Sequence, residues 1–300
     1  MFLCFRIVPG LDSQVRVKRS EVRPLISYGS WMTVSNIISP LMVTMDRFLI
    51  GALISVGAVA FYATPYEAVT KLWMIPISVV GVLFPAFAVS FVQDNERFLL
   101  LFKRGVKYIF LILFPVTLLI VTLSHEALNL WLGDEFAVNS TLLMQLLAIG
   151  VLINSLAQVP FAMIQGVGRP DLTAKIHMLE APVYLILLWL LIGQFGINGA
   201  AIAWVGRSVL DALLLFSVAN RFLIVGKSAD RWKNGFKAFT VLVLLGTGML
   251  PMNIMIKSVY LFIVFVALIF LTWFKFLSQE EKAIVQKTLN LRAATNCNDE

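Results

Sequence analysis

The stretch SYGSWMTVSNIISPLMVTMDRFLIGAL, residues 27–53, is apolar enough to sit in lipid, yet it carries Asp46 and Arg47 side by side. A charge at the centre of a membrane span costs at least about 2.5–3.5 kcal/mol on insertion scales, so the solvent around this stretch decides its reading. The chain has 300 residues, 59% of them hydrophobic and 14% charged, with a mean hydropathy of +0.88. Soluble domains are about half apolar and about a quarter charged. This chain departs in both directions at once, which makes it all-α: a polytopic membrane helix bundle.

A span needs about twenty mainly apolar residues. Eight segments qualify, at about 25–45, 58–90, 107–124, 141–164, 172–193, 198–220, 238–256 and 258–276. The second holds Pro65, Pro76 and Pro85 and is long for one crossing, which predicts a tilt or kink. Residues 91–108 read as an amphipathic lead-in at the interface, and 125–140 as a loop on the opposite side with Glu126, Asp134 and Glu135 but no Lys or Arg. Of the 24 Lys and Arg residues, Arg47 and Lys257 fall on the side away from the N-terminus and Lys71 and Arg207 lie within spans; all others share the N-terminal side. The positive-inside rule then makes both termini cytoplasmic.

The net charge of +7 would suit nucleic acid, but basic residues in a membrane protein mark cytoplasmic loops, and no nucleic-acid partner is expected. Cys4 and Cys297 have no partner spacing, so neither a disulfide framework nor a metal site is expected. No phosphate-cradling glycine loop, metal-spaced His/Cys cluster or nucleophile–base pair is present along the chain. An enzyme is not expected, and neither is a cofactor.

YGSWMTVSNIISPLMVTMDRFLIG (28–51) followed by VAFYATPYEAVTKLWMIPISVVGVLFPAFA (59–88) resembles the oligosaccharide flippase branch of the multidrug/oligosaccharidyl-lipid/polysaccharide exporter superfamily. LNLWLGDEFA (128–137), AQVPFAMIQGVGRPDLTAKIHMLEAPVYL (157–185) and GINGAAIAWVGRSVLDALLL (196–215) resemble the family's later helices in order. The resemblance covers about residues 1–225 and implies one six-helix lobe of a two-lobe, MATE-like transporter. It divides the chain into an inter-lobe linker (1–24), the second lobe (25–224), two additional spans (225–277) and a cytoplasmic tail (278–300), which is expected to form a short helix and then fray. The first lobe is absent from this pattern. The chain is therefore expected to be a truncated reading frame or a half whose partner lobe comes from another chain.

The function so implied is translocation of a lipid-linked oligosaccharide of the polyprenyl pyrophosphate type across a bacterial cytoplasmic membrane, by ion-coupled alternating access. Membrane lipids are the other expected partners. A multidrug or cation exporter and an inactive half-transporter are the alternatives. Charges within spans usually face a partner or water. Glu67 and Lys71 lie one turn apart, as do Arg207 and Asp211, with Glu180 near mid-depth and Lys175 and His177 nearer the inner surface. Arg207, Lys71, Asn36, Gln158 and Lys175 are the candidates for contact with cargo; Glu67, Asp211 and Glu180 are those for the coupling ion, proton or sodium. Each charge pair also has a plainer reading, self-neutralisation on one helix. Ser35, Asn36, Ser39 and Thr44 form a polar stripe on the first span, and Asn154, Gln158 and Gln165 one on the fourth, as cavity lining or packing glue. Twenty residues at 1.5 Å carry the first span from Leu25 to the outer interface, placing Asp46 and Arg47 at an outer rim, as cap and anchor or as a contact for emerging cargo. Gly196, Gly199, Ala200 and Ala203 read as a close-packing face.

Overall fold

A computed structural model describes residues 19–223, 241, 243–276, 279, 281 and 282. Its helices are α1 (Arg19–Leu53), α2 (Val56–Thr70), α3 (Met74–Gln93), α4 (Asn95–Leu132), α5 (Asp134–Gly166), α6 (Pro170–Phe195), α7 (Ile197–Phe222) and α8 (Ile254–Leu271). A 3₁₀ turn, Lys71–Trp73, joins α2 to α3 into one span, so the predicted irregularity of the second segment falls there. Seven stretches are long and apolar enough to cross a membrane among the described residues. The predicted span 238–256 lies partly outside them; residues 243–248 are helical.

Local chemistry sets the boundaries. Ser55 caps α2 by accepting from Ala58 N–H at 3.1 Å, and Asp94 caps α4 by accepting from Arg97 N–H at 2.9 Å. Gly133, Gly168 and Gly196 have φ of 88°, 86° and 59°, a region that side chains disfavour, and each ends one helix and starts the next. Gly196 is therefore a chain-reversal residue rather than part of the expected packing face. One end of the bundle is marked by Gly133 and Gly196, the other by Gly168.

Two expectations are corrected here. The lead-in at 91–108 is not a separate interfacial element: from Asn95 it is continuous with the span, in a 38-residue helix. At 1.5 Å per residue α4 runs about 57 Å, well beyond a hydrocarbon core of about 30 Å. The reason is burial, since Phe98 and Phe102 pack inward and hold the first turns to the bundle. The loop expected at 125–140 is helix on both sides of Gly133, because only that glycine breaks the hydrogen-bond ladder. Residues 19–24 of the expected linker are the first turns of α1. The rest of that linker, both cysteines, residues 224–240 and all of the tail except 279, 281 and 282 lie outside the described residues.

Helix α5 is the centre, packed by α2, α3, α4, α7 and, more lightly, α6; α1 lies on α6 and α2. The α5–α7 approach depends on Gly150, where an added Cβ would overlap the fully buried Trp204 ring. Gly199 plays the same part between α7 and α6, where a Cβ would meet the Leu191 carbonyl. Ala200 and Ala203 are fully buried beside it. Helix α8 docks on α4 through Lys257, whose Nζ lies 2.7 Å from Glu126 Oε1. Beyond α8, Glu281 Oε1 lies 2.6 Å from Lys107 Nζ of α4. Tyr108 also donates to Glu281.

Replacing Gly150 by valine drives a branched side chain into the Trp204 ring and is expected to destabilise the bundle by about 1–3 kcal/mol, as overpacking does. Gly193→Ala, where nothing lies within 4 Å, is expected to be neutral or mildly stabilising. Thermal unfolding of the purified variants checks both.

Candidate functional site

A cavity of about 740 Å³ opens between α1 and α3, with α5 and α7 behind it. Ser39, Pro40 and Val43 of α1 line one side; Ile77, Val80, Gly81 and Phe84 of α3 line the other. Asn154, Gln158 and Gln165 of α5 supply amides, and Arg207 and Asp211 of α7 supply charge. The amide stripe faces this hollow because the 154, 158, 165 spacing keeps three residues on one helix face. Next to these lining residues in sequence, Ile37 and Leu41 of α1 and Val82 of α3 are exposed, as is Ile77 itself.

Where α6 meets α7, four ionisable side chains converge: His177 and Glu180, three residues apart on α6, and Arg207 and Asp211, four apart on α7. All are buried, Glu180 to 1% exposure and Asp211 to 5%. The His177 ring stacks on Phe161 with centroids 5.6 Å apart and planes at 17°. Its Nε2 stands 3.8 Å from Asp211 Oδ1, too far for a hydrogen bond. The Arg207 guanidinium lies 5.5 Å from the Tyr184 ring centroid, within cation–π range. Both Glu180 carboxylate oxygens, Asp211 Oδ1, His177 Nδ1 and Arg207 Nε are buried without a hydrogen-bond partner among the described residues. Unpaired buried polar atoms are costly, so this wall is built to meet something in the cavity or between the helices.

Toward the Gly133 end the hollow closes. Asp46 is fully buried and accepts from Tyr62 Oη at 2.6 Å and from Arg47 N–H at 2.7 Å. Arg47 crosses to Glu67 at 3.4 Å and lies over the Tyr66 ring. Tyr66, Trp73 and Trp204 meet edge-on or tilted, with centroids 5.7–6.4 Å apart, and of the three Trp73 lines the cavity. Toward the other end, Tyr28 Oη donates to the Gln165 carbonyl at 3.1 Å, tying α1 to α5.

The residues singled out from sequence fall into two groups. Arg207, Asp211 and Gln158 line the cavity, and Glu180 lies in the buried cluster beside it. Asn36, Lys71, Lys175 and Glu67 are exposed and line none of it. Lys175 turns to Asp171 at 3.4 Å and over the Trp31 ring, and Glu67 pairs with Arg47 rather than with its helix neighbour Lys71. Asp46 stands inside the packed end, not on a rim; only its neighbour Arg47 reaches the surface. Sequence reasoning passed over Tyr62, Tyr184, Trp73 and Trp204. His177, expected nearer the inner surface, lies in the part of α6 toward the Gly168 end, with its ring buried against Phe161. A signal was present, since His177, Glu180 and Tyr184 recur at three and four residues, one face of α6.

The profile of the family described as polysaccharide biosynthesis protein matches residues 3–141. A Shigella flexneri protein named as an O-antigen transporter is 40% identical over 191 residues, 64% of this chain and 45% of that protein. The lipopolysaccharide biosynthesis protein WzxC of Escherichia coli K12 is 24% identical over 215 residues, 70% of this chain and 42% of its own length. A Haloferax volcanii protein named as a low-salt glycan biosynthesis flippase, Agl15, is 25% identical over 184 residues, 61% of this chain and 39% of its length. The matches thus span less than half the length of these relatives. A polytopic helical bundle, the ordered motifs along α1 to α7 and these matches agree in one direction: the chain is similar to polysaccharide biosynthesis proteins and to relatives named as O-antigen transporters and flippases.

Proposed function

We propose that this chain forms one wall of the route by which a lipid-linked oligosaccharide of the polyprenyl pyrophosphate type crosses a bacterial cytoplasmic membrane for surface polysaccharide assembly. The observation that carries the reading is the polar part of the hollow's lining. In a bundle this apolar, one side of the cavity presents a buried guanidinium, three amides and the Trp73 indole. A guanidinium binds phosphate oxygens through a planar fork of donors, amides bond sugar hydroxyls, and an indole face packs on sugar rings. Flippase relatives support the same cargo class. The chain acts as a transporter, not an enzyme. The exposed apolar face beside the opening receives the opposite wall, from another chain or a further segment. Alternating access then rocks the two walls about a fixed site. The driving cation, proton or sodium, is drawn by Glu180 and Asp211.

In this reading the Gly168 end faces the cytoplasm. Arg97, Arg104 and Arg169 cluster toward it, while Glu126, Asp134 and Glu135 mark the opposite end.

One observation favours a second reading, a multidrug or cation exporter. Lys71 is outside the cavity, so carboxylates outnumber cations around the buried cluster. Arg207 separates the two. Arg207→Ala is expected to lower transfer of a lipid-linked oligosaccharide by about 10–100-fold, the worth of a charged hydrogen bond, with Arg207→Lys partly active. Drug efflux, if the chain supports any, is expected to survive. Full sugar-lipid transfer by a folded Arg207→Ala protein removes the first reading. For orientation, a single Cys at Asn139→Cys, with Cys4 and Cys297 replaced by serine, is expected to react with an impermeant maleimide on intact spheroplasts, and Asn95→Cys only after lysis.

A further inference from the structure

The His177–Glu180–Asp211 cluster has a chemistry that cargo binding leaves unused. Arg207 can face an anion, but an imidazole and two carboxylates in one dry pocket present lone pairs to a cation. One ligand atom from each of the three lies within 4.8 Å of the other two. Ligand atoms around a tetrahedral ion with bonds of about 2.0–2.2 Å stand roughly 3.4 Å apart. Side-chain rotation of about an ångström therefore closes the set, with no helix movement.

We propose that His177, Glu180 and Asp211 form a binding site for a divalent transition-metal ion of the zinc and cobalt type, bridging α6 and α7.

Four features carry this. The donor set is one nitrogen and two carboxylate oxygens, a mixture that suits zinc, cobalt or nickel; sodium and magnesium favour oxygen alone. A sodium ion would use the carboxylates and leave the imidazole without a part. His177 and Glu180 sit at i and i+3 on one helix face with the third ligand on the neighbouring helix, the spacing by which helical bundles hold metals in their cores. The polar atoms are orphaned as well as near. Glu180, 1% exposed, has neither carboxylate oxygen partnered, and His177 Nδ1 and Asp211 Oδ1 are unpartnered beside it. Finally, the site is stiff and has one open direction. Phe161 clamps the imidazole plane, while His177 and Asp211 border the cavity, so water can complete the shell there. Arg207 is the one cation of the group. With both carboxylates ionised it offsets only one of two negative charges, and a bound metal offsets the remainder.

Metal binding does not depend on the transport reading and is measured without it. The test is a Co²⁺ titration of the full chain in lipid nanodiscs, purified without a histidine tag, followed by visible absorption and metal analysis. One Co²⁺ per chain is expected, with the absorption of a low-symmetry nitrogen–oxygen site, displaced by Zn²⁺ but not by millimolar Na⁺ or Mg²⁺. The chain has just two histidines, so His125→Ala is the control and is expected to bind as the parent does. His177→Ala and Asp211→Asn are each expected to weaken Co²⁺ binding at least 10-fold. His177→Cys is expected to add a thiolate-to-cobalt charge-transfer band, which places the metal at this residue even if the alanine variant folds poorly. The proposal is overturned if the parent binds no Co²⁺, if the His177 variants bind as the parent does with no new band, or if Na⁺ displaces the metal at comparable concentration. Failure here would leave the Arg207 transfer experiment untouched.

Discussion

The Trp204 indole rests on the bare backbone of Gly150, and the placement of the cavity follows from that contact. In lipid there is no hydrophobic drive between helices, so their separation is set by packing and by the few polar groups they must satisfy. A glycine facing the largest side chain lets α5 and α7 approach while the indole fills the space between them. Trp204 in turn meets Tyr66 and Trp73. The buried rings between the central helices therefore connect through Trp73 to the cavity lining.

Around that core, polar residues are spent in two ways. Near the Gly133 end they are satisfied: Asp46 is bonded by Tyr62 and the Arg47 amide, and Arg47 reaches Glu67. Those contacts tie α1 to α2 and close the hollow. At mid-depth they are not satisfied. Glu180, Asp211, His177 and Arg207 all keep buried atoms without partners among the described residues. Satisfied pairs thus sit at one end of the bundle and unmet polar atoms farther along it, where charged groups within spans usually face a partner or water. This division explains why Asp46, though charged and within a span, belongs to the architecture and not to the cavity.

The spans themselves were legible because twenty apolar residues have one stable fate in a membrane. The segments expected at 141–164, 172–193 and 198–220 lie within α5, α6 and α7. Where structure and sequence differ, charged segments are continuous with the spans rather than set apart from them. Residues 125–140 carry Glu126, Asp134 and Glu135 and no Lys or Arg, yet the ladder of backbone bonds continues until Gly133, because a charged side chain near a helix end costs the helix little. The same holds for 91–108, whose inward phenylalanines keep it in the long helix.

Taken alone, the sequence determined that this is a helical membrane protein, roughly where each span lies, and which ionisable groups sit at depth. Rise per residue and hydropathy report position along a helix axis. They do not report rotation about it, because in lipid the outside of a bundle is as apolar as its inside. Only the packed structure decided that Arg207 and Asp211 turn to the hollow while Glu67, Lys71 and Lys175 turn away. Only it brought Glu180 and His177 of one helix to Asp211 of the next, a grouping set by how closely small residues let two helices meet.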